Sequence, residues 1–282
     1  LILLTGNVFA KALPPGSGIG DVPANVLILL DKSGSMGARM TSGAGVYYPN
    51  SVAVDSSGNI YAGQYYTYGI KKFDYSTKAV DTSFASSGVY RGSGNCRSYY
   101  PYAMKIHNNY LYVSSYYGRR IFRVNLSNGN CDWNTYSNYG RNLDIQNNIL
   151  YATDRSKIHV RNLSTGTDIS CTYSGDLRNQ GRYAYGMAVD HNANNMYIQY
   201  YRYLYRFSIG SNKCPSTSRS FSVNSPAGYY SFGMKMHPSD DSILFMSSYY
   251  GHKLYKVTLN SGKTGIQSST HNNGRCCRGA ST

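Results

Sequence analysis

Met104-Lys105-Ile106-His107-Asn108-Asn109-Tyr110-Leu111-Tyr112 sets the grammar of this chain. A short apolar strand runs into an Asn turn, and a second strand opens on an aliphatic residue followed by an aromatic one. The order returns four more times. First strands recur at Val52-Ala53-Val54-Asp55, Leu143-Asp144-Ile145-Gln146, Met187-Ala188-Val189-Asp190 and Met234-Lys235-Met236-His237. Second strands open with Ile60-Tyr61, Leu150-Tyr151, Met196-Tyr197 and Leu244-Phe245, and a third begins at Ile70, Ile121, Ile158, Leu204 and Leu254. The steps from Val52 to Met104, Leu143, Met187 and Met234 are 52, 39, 44 and 47 residues. That spacing, with strands of about 4–6 residues between turns, describes one four-stranded sheet per repeat. Helical repeats would need a 3.6-residue period, which is absent. The reading is an all-β fold, a β-propeller of four-stranded blades, with five blades visible and six or more expected in the full protein.

Composition agrees. Of 282 residues, 41% are hydrophobic, enough for a core, and only 15% are charged, which argues against coiled coils and long surface helices. There are 31 Tyr, a residue suited to pleated, half-buried surfaces and to binding faces. The net charge of +15 favours acidic partners such as polyanionic glycans, anionic headgroups or nucleic acid.

The front of the chain points to export. An apolar run from Leu1 to Phe9 precedes Ala10-Lys11-Ala12, a small-x-small cleavage pattern, so residues 1–12 read as a signal-peptide remnant. No later run of about 18 apolar residues follows to span a membrane. The expected location is secreted or cell surface, where disulfides persist and nucleic acid is an improbable partner. Cys96 and Cys131 bracket the second repeat, and Cys171 and Cys214 bracket the fourth. Pairing within each bracket is expected, although six Cys allow fifteen connectivities.

Between signal and repeats, Val26 to Leu30 reads as a strand buried on both faces, ending in Asp31-x-Ser33-x-Ser35. One carboxylate and two hydroxyls on a tight loop make a hard oxygen site for Mg²⁺ or Mn²⁺. This stretch resembles the first strand and metal-ion-dependent adhesion motif of von Willebrand factor A domains. The resemblance implies Asp31, Ser33 and Ser35 as metal ligands, completed by an acidic group of the partner. It covers only this short stretch, within residues 13–45, which are read as the start of an α/β A-domain. The later Thr and Asp loops of that family are missing before the propeller begins, so metal affinity of the chain is expected to be weak. Pro49-Asn50-Ser51-Val52-Ala53-Val54-Asp55 with Gly58-Asn59-Ile60-Tyr61 resembles the NHL-type repeat, which makes 46–282 an NHL-like propeller cut off in mid-pattern. The pairing of an A-domain with a propeller is similar to that of the type IV pilus tip-associated adhesins.

In an up-and-down blade, the loop entering the first strand and the loop between strands two and three emerge on one face. Tyrosine pairs fall there, with basic residues beside them. The candidate ligand-binding residues are Tyr66, Tyr100, Tyr117, Arg119, Arg120, Arg155, Tyr201, Arg202, Tyr250 and Lys253. Rigid aromatic area with cationic donors suits recognition of carboxylate, phosphate or sulfate, while packing between blades would employ one Tyr of each pair. The opposite turns carry Asp55, Asp190, Asp240 and Asp241, so that face is expected to be mildly acidic. The inner strands show mainly Met, Val and Ala, and no nucleophile elbow or phosphate loop occurs. The expectation is an adhesion or binding protein and not an enzyme, engaging extracellular protein or glycan. Its alternatives are an extracellular propeller lyase or hydrolase, and a polyanion- or nucleic-acid-binding NHL-type propeller.

Overall fold

The computed structural model describes residues 46, 49–65, 67–85, 87–181, 184–248 and 253–271. The signal remnant, the A-type segment and its Asp31, Ser33 and Ser35 lie outside them.

Five antiparallel sheets of four strands follow one another along the chain, each with its strands in sequential order. Blade 1 holds β1–β4 (Pro49–Val54, Ile60–Gln64, Ile70–Phe73, Val89–Tyr90) and blade 2 holds β5–β8 (Pro101–His107, Tyr110–Ser115, Arg120–Asn125, Cys131–Tyr136). Blade 3 holds β9–β12 (Asn142–Gln146, Ile149–Thr153, Ile158–Asn162, Thr167–Asp168). Blade 4 holds β13–β16 (Gly186–Val189, Asn195–Tyr200, Tyr203–Ser208, Phe221–Asn224), and blade 5 holds β17–β20 (Met234–His237, Asp240–Ser248, Lys253–Leu259, Ile266–His271). Apart from a short helix α1 (Gly175–Gly181) and a 3-10 turn at Gly94–Cys96, the described regular structure is β. The first strands stand side by side, β5 against β1, β9 against β5, β13 against β9 and β17 against β13.

Local sequence explains the meander. His107 pairs with Tyr110 and Gln146 with Ile149, leaving two-residue Asn-Asn turns. All four of those Asn have positive φ, between 47° and 61°, which is the hairpin geometry Asn tolerates best. Second strands are sandwiched between neighbouring blades, and β10 is buried at every position, so their sequences are nearly continuous apolar runs. The fourth strands of blades 2 to 5 expose side chains to water, β20 along almost its whole length, whereas β4 of blade 1 keeps Tyr90 buried. Burial therefore grades from centre to rim.

Apolar clusters seal the blades to one another. Ala53, Met104, Leu111 and Phe122 join blades 1 and 2, and Tyr112, Ile121, Leu143 and Leu150 join blades 2 and 3. Tyr151, Val160, Met187 and Met196 join blades 3 and 4, and Ala188, Leu204, Met234 and Leu244 join blades 4 and 5. Among the described residues, no such cluster joins blade 5 to blade 1.

A polar hub does reach across the axis. Asp144 on β9 is 1% exposed. Its Oδ1 meets the Lys105 ammonium of β5 at 2.5 Å and the Lys235 ammonium of β17 at 3.6 Å, and its Oδ2 accepts the Val189 N–H of β13 at 2.9 Å. One carboxylate thus touches blades 2, 4 and 5 from blade 3. The reading of the inner strands as mainly Met, Val and Ala is therefore incomplete, because Lys105, Asp144 and Lys235 stand at equivalent repeat positions and meet at the axis. Burial pushes the Asp144 carboxyl up, but the two ammoniums and the Val189 amide outweigh it and hold it at about 2. Dense surroundings press the Lys235 ammonium below its ordinary value, although 48% of its side chain is reached by solvent.

The two bracketed pairings exist, Cys96–Cys131 across 35 residues and Cys171–Cys214 across 43. Each ties the connector entering a blade to that blade's third-to-fourth turn region, in blades 2 and 4. No helix among the described residues is long and apolar enough to cross a membrane.

Two outcomes follow for stability. Asp144→Asn strips two ammoniums of their counter-charge and is expected to cost about 3–5 kcal/mol in denaturant unfolding at pH 7. The native carboxyl titrates near 2, below its unfolded value of about 3.9, so its stabilising contribution is complete above pH ~4 and is lost as pH falls through ~2. The variant should accordingly show a flatter loss of stability over that window. Reducing both disulfides should lower stability by about 3–4 kcal/mol per bond, read as a fall in Tm with added thiol.

Candidate binding face

The described carboxylates are already engaged inside the molecule. The chain's 13 acidic residues are all Asp, too short to reach far from the backbone. Asp55, Asp74, Asp81, Asp154 and Asp240 each accept backbone N–H groups of their own turns, and the Ser76 hydroxyl with the Thr77 N–H keeps Asp74 at about 2. Burial pushes the Asp154 carboxyl up, but a bond from His159 at 2.8 Å, with the Lys157 and Ser156 N–H groups, holds it at about 2. Asp132 pairs with Arg123, Asp168 with Arg161 and Asp176 with Arg219. On the turn face, Asp190 is buried and bonded to Lys263 at 3.3 Å, and Asp241 holds His191 at 2.6 Å. The acidity expected of the turn face is therefore offset in part, by Lys263 against Asp190 and Asp241, while Asp55 and Asp240 keep their charge within their turns.

The other face differs. Its guanidinium groups rest on tyrosine rings instead of carboxylates. Arg119 and Arg155 both lie over Tyr139, at 4.4 and 4.6 Å from its centroid, and Arg119 also bonds the Tyr139 hydroxyl while Arg155 bonds that of Tyr116. Arg97 covers Tyr99 at 4.4 Å, Arg141 covers Tyr185 at 5.1 Å, and Arg202 donates to the Tyr203 hydroxyl at 3.1 Å. A neutral ring attracts a cation without cancelling its charge, so the positive potential of this face stays available.

Beneath the cations the rings touch in series. Tyr65 meets Tyr100 at 4.3 Å, Tyr100 meets Tyr102 at 5.4 Å, Tyr102 meets Phe232 at 6.4 Å, Phe232 meets Tyr185 at 5.7 Å, and Tyr185 meets Tyr230 at 4.5 Å. Tyr201 joins through Tyr185 at 6.0 Å. These rings come from blades 1, 2, 4 and 5 and span the channel mouth. Tyr102, Arg141, Tyr185 and Phe232 occupy one repeat position, with Asn50 as the blade 1 equivalent. In blades 1 and 2 the register slips there, a bulge that turns the side chain away from the ladder. The Nε and Nη1 atoms of Arg141 are buried in this collar without a hydrogen-bond partner in the protein.

Three entry-loop tyrosines share an uncommon backbone. Tyr100, Tyr139 and Tyr230 have φ of 57°, 59° and 59°, left-handed values that a bulky side chain adopts only at a cost of about 1–3 kcal/mol. The same geometry at one position in three blades places these rings by design of the loop.

The expected residues distribute as follows. Tyr100, Tyr117, Arg119, Arg155, Tyr201 and Arg202 gather on this face. Tyr117 is 50% exposed and Tyr201 41%, while Tyr116 is buried, so in these loops the second tyrosine faces solvent. Arg120 and Lys253 lie toward the rim, against Asn95 and Tyr136 and against His271 respectively. Tyr66 and Tyr250 fall outside the described residues. Sequence reasoning passed over Tyr102, Tyr139, Arg141 and Phe232, although their repeat positions carry the signal. Among the described residues no group of three or more His, Cys or Asp is placed to hold a metal ion.

No protein-family model matches the sequence, and no curated protein matches it. Solved structures do. A chain in a nidogen–laminin complex aligns with TM-score 0.58 and 10% identity, over 82% of this chain and 83% of that one. Virginiamycin B lyase from Staphylococcus aureus aligns with TM-score 0.56 and 13% identity, over 79% and 69%. The RRP9 WD40 repeats align with TM-score 0.55 and 10% identity over 79% of this chain, which spans just under two-thirds (66%) of theirs. Such likeness establishes the propeller fold and leaves the activity to the side chains.

Tyr139→Phe keeps a ring under both guanidiniums and should hold Tm within about 3 °C, whereas Tyr139→Leu should cost about 1–2 kcal/mol. Limited trypsin digestion after Arg119 and Arg155 should accelerate in the Leu variant alone.

Proposed function

We propose that this chain is an extracellular binding module that takes an anionic glycan or acidic protein partner on its tyrosine–arginine face. One observation carries the reading: the described acids are engaged within the fold, while the guanidiniums of this face are held by phenol rings that leave their charge available. Rings fixed by loop geometry add contact area with little conformational entropy left to lose. The two disulfides are compatible with an oxidising location. The complex named for a nidogen–laminin neighbour shows one propeller-like chain in protein recognition, and the lyase neighbour shows the fold also serving catalysis.

Metal-assisted capture through Asp31, Ser33 and Ser35 is a separate proposal resting on the sequence motif. Metal analysis of the chain with and without Asp31→Ala tests it.

The face itself is tested with a heparin-derived oligosaccharide. Wild type should bind it with an affinity that falls steeply as salt rises, because the attraction is between charges. Arg119→Gln with Arg155→Gln should weaken binding at least tenfold without lowering Tm by more than about 4 °C. Salt-independent binding, or full affinity in the double variant, would overturn the assignment.

A further inference from the structure

A cleft of about 460 Å³ opens at the β14–β15 hairpin of blade 4, lined by Tyr200, Tyr201, Arg202, Tyr203 and Tyr205 of that hairpin and by Tyr229 of the connector leading to blade 5. Its walls are five phenol rings and one guanidinium, with no carboxylate. Tyr201 and Tyr229 are 41% and 48% exposed, so their rings present free area. The volume sits in the lower part of the range of small-ligand clefts.

The turn that builds the cleft is an improbable one. Tyr200 pairs with Tyr203, leaving Tyr201-Arg202 as a two-residue hairpin loop. Tyr201 has φ of 48° at the first central position, where such loops favour Gly, Asn or Asp. A bulky ring kept in left-handed backbone points to use of the side chain, since glycine would relieve the strain. Beside it, Arg202 donates to the Tyr203 hydroxyl at 3.1 Å, which orients the guanidinium and leaves most of its five N–H donors to spare. Its residue is exposed.

The pieces match one ligand chemistry. Flat rings stack on the apolar faces of a pyranose, phenol hydroxyls bond its hydroxyls, and a guanidinium takes a carboxylate or sulfate in two parallel bonds. We propose that this cleft is a subsite for a single pyranose unit bearing one anionic group. The inference rests on the reading of the whole face as anion-binding and assigns it a location and a sugar class.

Titration calorimetry with three hexasaccharides separates the two claims: hyaluronan carrying carboxylates, chondroitin sulfate carrying sulfates as well, and neutral chitohexaose. Wild type should bind one or both acidic sugars and not the neutral one. Arg202→Gln should weaken that binding at least tenfold. Tyr201→Gly should weaken it at least fivefold while Tm stays within about 3 °C of wild type, a split that a purely structural ring would not produce. The stronger of the two acidic sugars identifies the anionic group. If wild type binds the acidic sugars and both variants stay within twofold of it, the subsite is refuted and the face remains. If the neutral sugar binds equally well, the anionic class is refuted. If no acidic sugar binds wild type, the subsite is refuted, and the face as a whole stands or falls on the heparin measurement.

Discussion

A single buried carboxylate organises the centre of this propeller. Asp144 receives an ammonium from blade 2, another from blade 5 and a backbone amide from blade 4. In an apolar channel a lone aspartate would be forced toward neutrality, yet here the surrounding donors keep it ionised. Four of the five blades thereby answer to one side chain. Apolar clusters bind neighbouring blades, whereas this hub also links blades 3 and 5, which are not neighbours.

The distribution of charge around that centre gives the two faces their characters. Short aspartates close turns and pair with nearby cations, which leaves the arginines of the tyrosine face without carboxylate partners. They settle on rings. The outcome is a surface with aromatic area and positive potential in the same place, produced by local turn chemistry as much as by any recognition motif.

Much of the architecture was legible because it repeats. Aliphatic–aromatic openings such as Leu111-Tyr112 and Leu150-Tyr151 mark second strands buried on both sides in blades 1 to 4, whereas in blade 5 the burial of β18 alternates. The pairings Cys96–Cys131 and Cys171–Cys214 followed from where the blades begin and end. The tyrosine pairs were visible from loop positions alone. The hub was not, because its repeat position reads Ala53, Lys105, Asp144, Ala188 and Lys235, an irregular column whose sense depends on contacts across the axis. Arg141 was hidden for a similar reason: it stands where Tyr102, Tyr185 and Phe232 stand in other blades, and only the closed collar shows it against a ring. The turn face is less acidic than its turn residues alone suggest, because Lys263, from a third-to-fourth turn, reaches Asp190.

Four blade junctions are sealed by apolar clusters, and among the described residues the junction of blade 5 with blade 1 is not. The disc is in that respect a clasp, with a seam. Prising it apart would draw Lys235 away from Asp144 and lift Phe232 off Tyr102, so the hub and the collar serve as its latch. A guest held on the collar would strengthen the same latch, and occupancy on one face would then be felt as rigidity at the rim.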